Sequence, residues 1–244
     1  MSTQATPNPA QVYDDFLVPN MFEPWADELL ARVAITPGDR VLDVACGTGA
    51  VTRKAAAIAG ADGTTTGIDI SPPMLGILQA HARRAGVDIQ PVERSADSLP
   101  FDDGTFDVVL CQQGLQFVPD RQMAVREMHR VLRDGGRAGV SIWRDAEHQG
   151  LLGAISEAID RQFGTPANDP FRMGDADEVR DLFARAGFSD IAIEPVRRRV
   201  RFPSADQLVR LSVMSAAAVL PELAEASDDE REAAIAAIRE DIHG

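Results

Sequence analysis

A glycine-containing turn follows the first strand-like segment of the chain. Residues 41–49 read VLDVACGTG, in which an apolar run ends in two glycines, Gly47 and Gly49. Glycine allows the backbone to adopt positive φ and to come close to a ligand. A helix pattern begins directly after the turn, and the first turn of a helix points free N–H groups and a positive dipole end at whatever lies there. The segment therefore predicts a cofactor-binding turn.

The residues of this turn favour one class of cofactor over another. Dinucleotide-binding turns follow the pattern G-x-G-x-x-G/A, whose last small residue lets helix and strand pack closely, and here Thr52 occupies that position. The turn also has no basic residue to meet a pyrophosphate. Asp43, inside the strand, is poorly suited to phosphate but can help to hold a cationic amino-acid group, directly or through water. A dinucleotide remains the alternative.

Two further carboxylates follow the next predicted strands. Asp69 ends the second strand, where an acidic residue can accept hydrogen bonds from both hydroxyls of a ribose. Its alternative role is a helix cap, but Ser71 is the better cap candidate and leaves Asp69 free for the ribose. Asp97 follows the third strand and can accept from an exocyclic amine such as that of adenine, or it can simply form a turn.

A polar loop and a histidine follow two later strands. Gln112, Gln116 and Phe117 come after the fourth strand, at the carboxyl edge where ligands bind in open α/β sheets. We therefore expect Gln112 and Gln116 to face the ligand; the alternative is a polar surface loop. His148 follows the fifth strand and its Trp143, and it is a candidate general base, although a lone histidine in a loop is more often a surface residue.

Strand and helix patterns alternate from residue 40 to residue 143. This alternation predicts a doubly wound α/β fold, in which helices cover both faces of a parallel sheet. Helical additions are expected at the N-terminus and after a late strand. The predicted strands are 40–45, 64–70, 88–93, 106–111, 137–143 and 188–202, and the predicted helices are 50–59, 74–85, 120–132, 151–163, 175–186, 204–220 and 228–242.

The same patterns divide the chain into three segments of one compact domain. Residues 1–34 are expected to form an N-terminal tail and lid helices, and residues 35–150 the cofactor-binding core. Residues 151–244 are expected to supply the remaining sheet edge and a helical insertion on the substrate side.

Apolar side chains from several parts of the chain are candidates for a substrate pocket. Tyr13 and Phe16 lie in an amphipathic helical pattern over 13–34 that can serve as core, as a lid, or as both. With Phe117 and Met214 they predict a mainly apolar pocket, which selects hydrophobic or planar small molecules. The alternative is that these side chains pack on the sheet or on a second copy of the chain in a homodimer.

The composition argues against several classes of protein. The formal net charge of the 244 residues is −14 and the pI is about 4.6, so phosphate backbones are repelled and a nucleic-acid partner is not expected. Cys46 and Cys111 provide neither metal-ligand spacing nor a disulfide framework. No segment is apolar for long enough to span a bilayer, and the N-terminus lacks the features of a signal peptide. We therefore expect a cytoplasmic protein without a metal.

Four segments together resemble the class I S-adenosylmethionine-dependent methyltransferase family, in particular its ubiquinone/menaquinone-biosynthesis-like branch with a methyltransferase type 11 domain. They are VLDVACGTG, GIDISPPML, ADSLPFDDGTFDVV and EMHRVLRDGGR, in order and properly spaced within residues 40–143. The resemblance implies a Rossmann-like sheet and S-adenosylmethionine (SAM) as the cofactor. Ala45 stands where the family more often has glycine, a change that adds only a methyl group.

The resemblance also implies roles for individual residues. The glycine turn would hold the methionine part of SAM, Asp69 the ribose and Asp97 the adenine amine, while Ile70 and Met74 would pack against the adenine and ribose. The expected cofactor-binding residues are Asp43, Ala45, Gly47, Gly49, Asp69, Ile70, Met74, Ala96, Asp97, Ser98, Gln112 and Gln116.

These inferences predict methyl transfer to a small, apolar or aromatic metabolite, such as a quinone-like or natural-product acceptor. Such transfer depends on positioning and desolvation more than on a strong acid or base. Two alternatives remain: a nicotinamide-dependent oxidoreductase that uses the same turn, and a binding or cyclisation protein of the SAM fold without transferase activity. The family's sheet usually ends with an antiparallel strand, whereas this sequence ends on a helix pattern, so we expect either a truncated chain or a sheet without its last strand.

Overall fold

The computed structural model describes residues 8–163, 170–200, 204–216 and 221–243. The chain forms two compact units, which do not coincide with the three segments predicted from the sequence. The first unit consists of residues 1–22, 146–169 and 199–244, and the second of residues 23–145 and 170–198.

A parallel sheet forms the centre of the second unit. Its strands are β1 (Arg40–Val44), β2 (Thr64–Asp69), β3 (Gln90–Glu93), β4 (Phe106–Gln112) and β5 (Leu132–Ser141). Within the described residues they form one five-stranded sheet in the order β3-β2-β1-β4-β5, and each neighbouring pair is parallel. This topology confirms the predicted doubly wound α/β fold. The strand order reverses between β1 and β4, and ligands bind in the crevice that such a reversal opens at the carboxyl ends of the strands.

Helices cover the sheet and make up the first unit. The longer helices predicted from the sequence are present, and Ala50–Ala59 has the predicted bounds. In chain order the helices are α1 (Pro9–Val12), a π-helix (Tyr13–Phe22), α2 (Glu23–Val33), α3 (Ala50–Ala59), α4 (Pro72–Ala85), a 3₁₀ turn (Leu115–Phe117), α5 (Arg121–Val131), a second 3₁₀ turn (Ala146–His148), α6 (Leu151–Phe163), α7 (Ala176–Arg185), α8 (Ala205–Ala216), α9 (Pro221–Glu225) and α10 (Asp228–His243).

The central strands are buried on both faces, which explains why β1 and β4 are almost continuously apolar. Val41 and Val108 lie on the face that packs against α2 and α3, and Leu42 and Val109 lie on the opposite face, toward α5 and α7. This alternation places the two faces of each strand in two separate hydrophobic clusters. Parallel strands held in this way bring their carboxyl ends to one edge of the sheet.

The long strand predicted over 188–202 is wrong for residues 188–200, which form no strand. Pro195 lacks the N–H that a sheet ladder requires. The segment is instead anchored to α2, because Arg198 donates to the carbonyl oxygen of Pro24 at 2.7 Å and pairs with Glu28. Residues 201–203, and with them the end of the predicted strand, lie outside the described part of the chain. The alternating pattern in this stretch reflects partial burial against α2 and α7 rather than pairing at a sheet edge.

The first unit is a helical assembly with its own apolar core. The side chains of Ile155 on α6, Leu208 on α8 and Ile235 on α10 are almost completely buried. Tyr13 stacks on Phe22 within the π-helix, with ring centroids 5.1 Å apart. Across all the residues that the structure describes, no helix combines the length and the apolar character needed to span a membrane.

Candidate functional site

The glycine turn lies between β1 and α3, and its two glycines are required for different reasons. Gly49 is the N-cap residue of α3 with φ of +86°, and a Cβ there would overlap Cδ1 of Leu78 on α4. Gly47 has φ of +54°, and a Cβ there would have no other heavy atom within 4 Å. Gly49 is therefore needed for helix packing, whereas Gly47 faces open space in which a ligand can approach the backbone.

Asp69 closes the turn from the end of β2. Its Oδ2 accepts the N–H of Gly47 at 2.8 Å, and its Oδ1 accepts the N–H of Ser71 at 2.9 Å. Ser71 is the N-cap residue of α4, as predicted, but its side chain makes no capping hydrogen bond. The expectation that Asp69 is left free is wrong, because both of its carboxylate oxygens accept backbone N–H groups. Each carboxylate oxygen can accept more than one hydrogen bond, so Asp69 is held in place and still has acceptor capacity.

Asp43 lies in β1 below the glycine turn and is almost completely buried, with 1% of its surface exposed. Its Oδ2 accepts the hydroxyl of Thr52 on α3 at 2.6 Å. Burial raises the pKa of Asp43 to about 7, the hydrogen bond from Thr52 opposes that rise, and the charge of Asp69 adds to it. Thr52, considered in the sequence only as the missing small residue of a dinucleotide turn, is thus the residue that satisfies Asp43.

Ala45 and Gly114 are in close contact where β1 and β4 end. Ala45 has φ of +54°, a left-handed conformation that non-glycine residues rarely adopt, so the extra methyl group has more effect than the sequence indicated. A Cβ on Gly114 would come within 2.5 Å of the Ala45 Cβ. Gln113, next to Gly114, also has positive φ, and its N–H donates to the carbonyl oxygen of Ser141 at 2.8 Å. The carboxyl edge of the sheet is therefore fixed by strained backbone and close packing.

The glutamines after β4 are buried rather than part of a polar surface loop. Gln116 is 1% exposed, and neither its side-chain oxygen nor its nitrogen has a hydrogen-bond partner among the described residues. Gln113, which the sequence analysis did not favour, is 6% exposed, and its Oε1 is likewise unpartnered. Gln112 and Phe117 are half-buried. A buried polar group without a partner is costly, so the amides of Gln113 and Gln116 are suited to hydrogen bonding with a ligand.

The remaining cofactor candidates lie on α4 and on the loop after β3. Ile70 is 71% exposed directly after Asp69, whereas Met74 is buried in the first turns of α4. On the loop, Ala96 is buried, Asp97 is half-buried and Ser98 is exposed. No hydrogen bond or ion pair of the Asp97 carboxylate is found within the described part of the chain.

Sequence reasoning missed two residues that act on this loop. Glu127 and Arg130, quoted only as part of a motif, lie on α5 and form hydrogen bonds to the loop backbone. The letters EMHR alone did not indicate this, because the loop is about thirty residues away in the chain. The signal that was available is the pairing of a glutamate and an arginine three positions apart, which indicates a shared task on one face of a helix.

Four predicted site residues belong to the first unit, whereas the glycine turn belongs to the second. His148 is exposed on its 3₁₀ turn, and Met214 is half-buried on α8; both belong to the first unit, as do Tyr13 and Phe16. The two thiols, Cys46 and Cys111, are buried, and burial raises the pKa of Cys111 to about 12.

At the carboxyl edge of β1 and β2 there are two carboxylates, and the glycine turn itself has no basic side chain. Asp43 and Asp69 are close enough that the charge of one raises the pKa of the other. Residues 45–50 contain no lysine or arginine, and Arg53 in α3 pairs with Glu23 and donates to the carbonyl oxygen of Gly49. Such an arrangement repels a pyrophosphate and favours a ligand that carries positive charge.

Comparisons with known proteins find one matching family model and several relatives, each over part of the chain. Residues 41–136 match the family described as a methyltransferase domain. Two uncharacterized proteins of Mycobacterium tuberculosis are similar to this chain: one is 42% identical over 115 residues, and the other is 37% identical over 174 residues. These matches cover 47% and 70% of this chain, which spans only 41% and 61% of the relatives' own lengths.

One named relative and two solved structures extend the comparison. The demethylmenaquinone methyltransferase of Staphylococcus carnosus is 28% identical over 184 residues, which cover 70% of this chain and 76% of that enzyme. The YcgJ protein of Bacillus subtilis has a TM-score of 0.60 at 20% identity, covering 85% of this chain and 86% of that one. A SAM-dependent methyltransferase of Aquifex aeolicus has a TM-score of 0.55 at 16% identity, covering 75% and 89%. The two structures show the same fold.

Proposed function

Residues 41–136 belong to the methyltransferase domain family, and from this premise we propose that the chain transfers the methyl group of SAM to a small, apolar or aromatic metabolite. The observation that carries the proposal is the Gly47–Asp69 contact at the carboxyl edge of the sheet, where an open glycine turn is closed by a carboxylate. Two of the four sequence segments that resemble the family, VLDVACGTG and GIDISPPML, contain these two residues.

The residues present are suited to SAM. The open space above Gly47 accommodates a ligand against the backbone, and the carboxylates of Asp43 and Asp69 favour the positive charge that SAM carries. We assign the methionine part to the turn of Gly47 and Gly49, with Asp43 acting from below it. Ala45, buried Gln116 and neighbouring Gln112 complete that end of the site in this proposal.

The adenosine part is assigned to β2, α4 and the loop after β3. Asp69 would accept from the ribose hydroxyls with the acceptor capacity that its two backbone bonds leave. Asp97, with Ala96 and Ser98, would receive the adenine amine, and Ile70 would cover one face of the adenosine beside Met74. Exposed Ile70 supports this assignment, because an apolar side chain that is 71% exposed gains by packing against a ring.

Bound SAM supplies a methyl group on a positively charged sulfur, and this chain's own residues need only position an acceptor and exclude water. Gln116 and Gln113 can orient a hydroxyl or a carbonyl of the acceptor by hydrogen bonding without adding charge. Phe117, half-buried on the same 3₁₀ turn as Gln116, is proposed to contact its apolar part. His148 as a base, and Tyr13, Phe16 and Met214 as apolar contacts, belong to the first unit and stay predictions from the sequence.

One relative supports a quinone-like acceptor, and the charge of the chain is compatible with a neutral small molecule of this kind. The Staphylococcus carnosus relative carries demethylmenaquinone in its name. The net charge of −14 disfavours a polyanionic acceptor such as RNA, so a neutral small molecule is the better substrate class.

Calorimetry with S-adenosylhomocysteine and SAM tests the first half of this proposal, and fluorescence titration with NADH is the matched control for a dinucleotide site. We expect binding of both SAM compounds and none of NADH. Folded protein that binds neither SAM compound would refute the proposal, and binding of NADH alone would indicate the oxidoreductase.

Product analysis with methyl-labelled SAM tests the second half. A panel of phenols, catechols and reduced quinones should contain an acceptor that takes up the label, whereas transfer RNA should take up none. If SAM is bound but no acceptor in a broad panel is methylated, the chain is better described as a SAM-binding or cyclisation protein.

A further inference from the structure

The loop that carries Asp97 is long and has no helix or strand of its own. It joins the end of β3 at Glu93 to the start of β4 at Phe106, and residues 94–105 are held by a few backbone hydrogen bonds, such as that from the Ser98 N–H to the Ser95 carbonyl oxygen, and by side chains. A carboxylate on such a loop can select a ligand only if the loop backbone is kept in one conformation, because a loop of this length has many others available.

Two residues of α5 form hydrogen bonds to the backbone of this loop at Leu99 and Phe101. Glu127 Oε2 accepts the N–H of Leu99 at 2.9 Å. The Arg130 guanidinium donates to the carbonyl oxygen of Leu99 at 3.0 Å and to that of Phe101 at 2.7 Å. The backbone N–H and the carbonyl oxygen of Leu99 are therefore both hydrogen-bonded to side chains of α5. Leu99 lies two residues after Asp97.

The two side chains also hold one another. Arg130 pairs with Glu127 through two hydrogen bonds, of 2.7 and 2.8 Å, and reaches Asp103 at 2.9 Å. The side-chain hydrogen bonding that Arg130 donates to Glu127 is the main cause of the raised pKa of Arg130, and it also lowers the pKa of Glu127. A planar guanidinium can make these contacts at once, whereas a lysine ammonium cannot reach the same set in one plane.

We propose that Glu127 and Arg130 are positioning residues that hold the 94–105 loop so that Asp97 selects the amine of the adenine ring. The inference rests on the proposed function, since it takes SAM as the ligand of this site. Neither residue touches the cofactor; both act through the backbone of Leu99 and Phe101. A role confined to stability would make the loop resist unfolding but would leave ligand selection unchanged.

The experiment compares two ligands that differ at one group. S-adenosylhomocysteine carries the adenine amine, and S-inosylhomocysteine carries a carbonyl oxygen in its place, which a carboxylate repels. We expect the wild-type chain to bind the first about tenfold or more tightly than the second, in the range of a charged hydrogen bond. Asp97→Ala should bring this ratio close to one.

Arg130→Met and Glu127→Gln then test the inference directly. Both should reduce the ratio toward the value of Asp97→Ala, and Arg130→Lys should give an intermediate value. The double variant Asp97→Ala/Arg130→Met should have the same ratio as Asp97→Ala alone, because residues that act through one another are not additive. Arg40→Lys is the matched control, since Arg40 pairs with Asp107 at the amino end of β1 and should keep the wild-type ratio.

Thermal melting shows which variants are folded. If Arg130→Met is not folded, the test is made with Glu127→Gln, which keeps an acceptor for the Leu99 N–H. Folded Arg130 and Glu127 variants with the wild-type ratio would overturn the inference while leaving SAM binding intact. A wild-type chain that binds neither ligand would overturn the proposed function, and this inference with it.

Discussion

The Cβ of Ala45 occupies the space in which any side chain on Gly114 would have to lie. A Cβ on Gly114 would come within 2.5 Å of it, although the backbone of Gly114 is right-handed and open to every residue type, with φ of −107°. Gly114 is therefore required by its neighbour and not by its own conformation. Ala45, at φ of +54°, is the strained partner of the pair.

This relationship predicts that the two positions are coupled. Gly114→Ala should lower the free energy of unfolding by about 1–3 kcal/mol through overpacking. Ala45→Gly should change it by less than about 1 kcal/mol, because relief of left-handed strain is offset by greater freedom of the unfolded chain. In the double variant the nearest heavy atoms to the methyl group on residue 114 are Cys111 Sγ at 3.4 Å and the carbonyl oxygen of residue 45 at 3.5 Å, so most of the lost stability should be recovered. Urea denaturation of the four proteins measures the coupling, and strictly additive effects would contradict it.

The two glycines of the turn should respond differently to alanine. Gly49→Ala should destabilise the fold by about 2–4 kcal/mol, because the new methyl overlaps Leu78 and φ is +86°. Gly47→Ala should cost only about 1–2 kcal/mol of left-handed strain, but its methyl would project into the proposed ligand space and abolish S-adenosylhomocysteine binding. Gly38→Ala is the control, since Gly38 has φ of +90° and open space but lies before β1. Equal ligand affinity in the Gly47 and Gly38 variants would remove Gly47 from the site.

Substitutions of Asp69 and Asp97 should differ in their effect on stability, although both should weaken ligand binding. Asp69→Ala should weaken S-adenosylhomocysteine binding by about 1–3 kcal/mol and also destabilise the fold, because the N–H groups of Gly47 and Ser71 lose their acceptor. Asp97→Ala should weaken binding with little change in melting temperature. Calorimetry and thermal melting of both variants are the measurements. A melting temperature for Asp69→Ala equal to that of the wild type would show that the two backbone bonds contribute nothing.

Asp43 should make the folded state less stable as pH rises. Burial raises its pKa to about 7 in the folded chain, well above the ordinary value of an aspartate in an unfolded chain, so the folded state binds the proton more tightly than the unfolded state does. The stabilising effect is complete below about pH 4 and is lost as pH rises through about pH 7, at about 1.4 kcal/mol for each unit of difference in pKa. Denaturation of the wild type and of Asp43→Asn between these limits should show their difference in stability changing with that slope.

Asp107, in the same sheet, is a control in which the pKa of the carboxyl group is lowered instead of raised. Hydrogen bonds from Arg40, and also from Arg133, hold the pKa of Asp107 well below its usual range. Its contribution is therefore present above about pH 4 and lost as pH falls further, so Asp107→Asn should remove a dependence of opposite sign. A difference between Asp43→Asn and wild type that does not vary with pH would show that Asp43 is not titrating as its burial requires.

The sequence by itself determined the order of elements and the edge at which the site lies. Apolar runs of strand length alternate with helix patterns, and a parallel arrangement necessarily brings the carboxyl ends of its strands together. Gly47 follows β1 and Asp69 ends β2, so their meeting at one edge of the sheet could be predicted from local pattern and topology alone. The same reasoning failed for 188–200, because periodicity reports which side chains are buried and not which backbone groups are paired.

Only the tertiary structure decided which side chains satisfy or exclude one another. The bond from Thr52 to Asp43, the need for glycine beside Ala45, and the contacts of Arg130 with Leu99 all join residues whose distance in the chain gives no sign of contact. Such pairs depend on distances of a few tenths of an ångström set by the packing of helices on the sheet. A local sequence pattern indicates the burial and conformation of single residues. A hydrogen bond or a steric overlap between distant residues depends on both of them, and it is defined only when folding brings the two residues together.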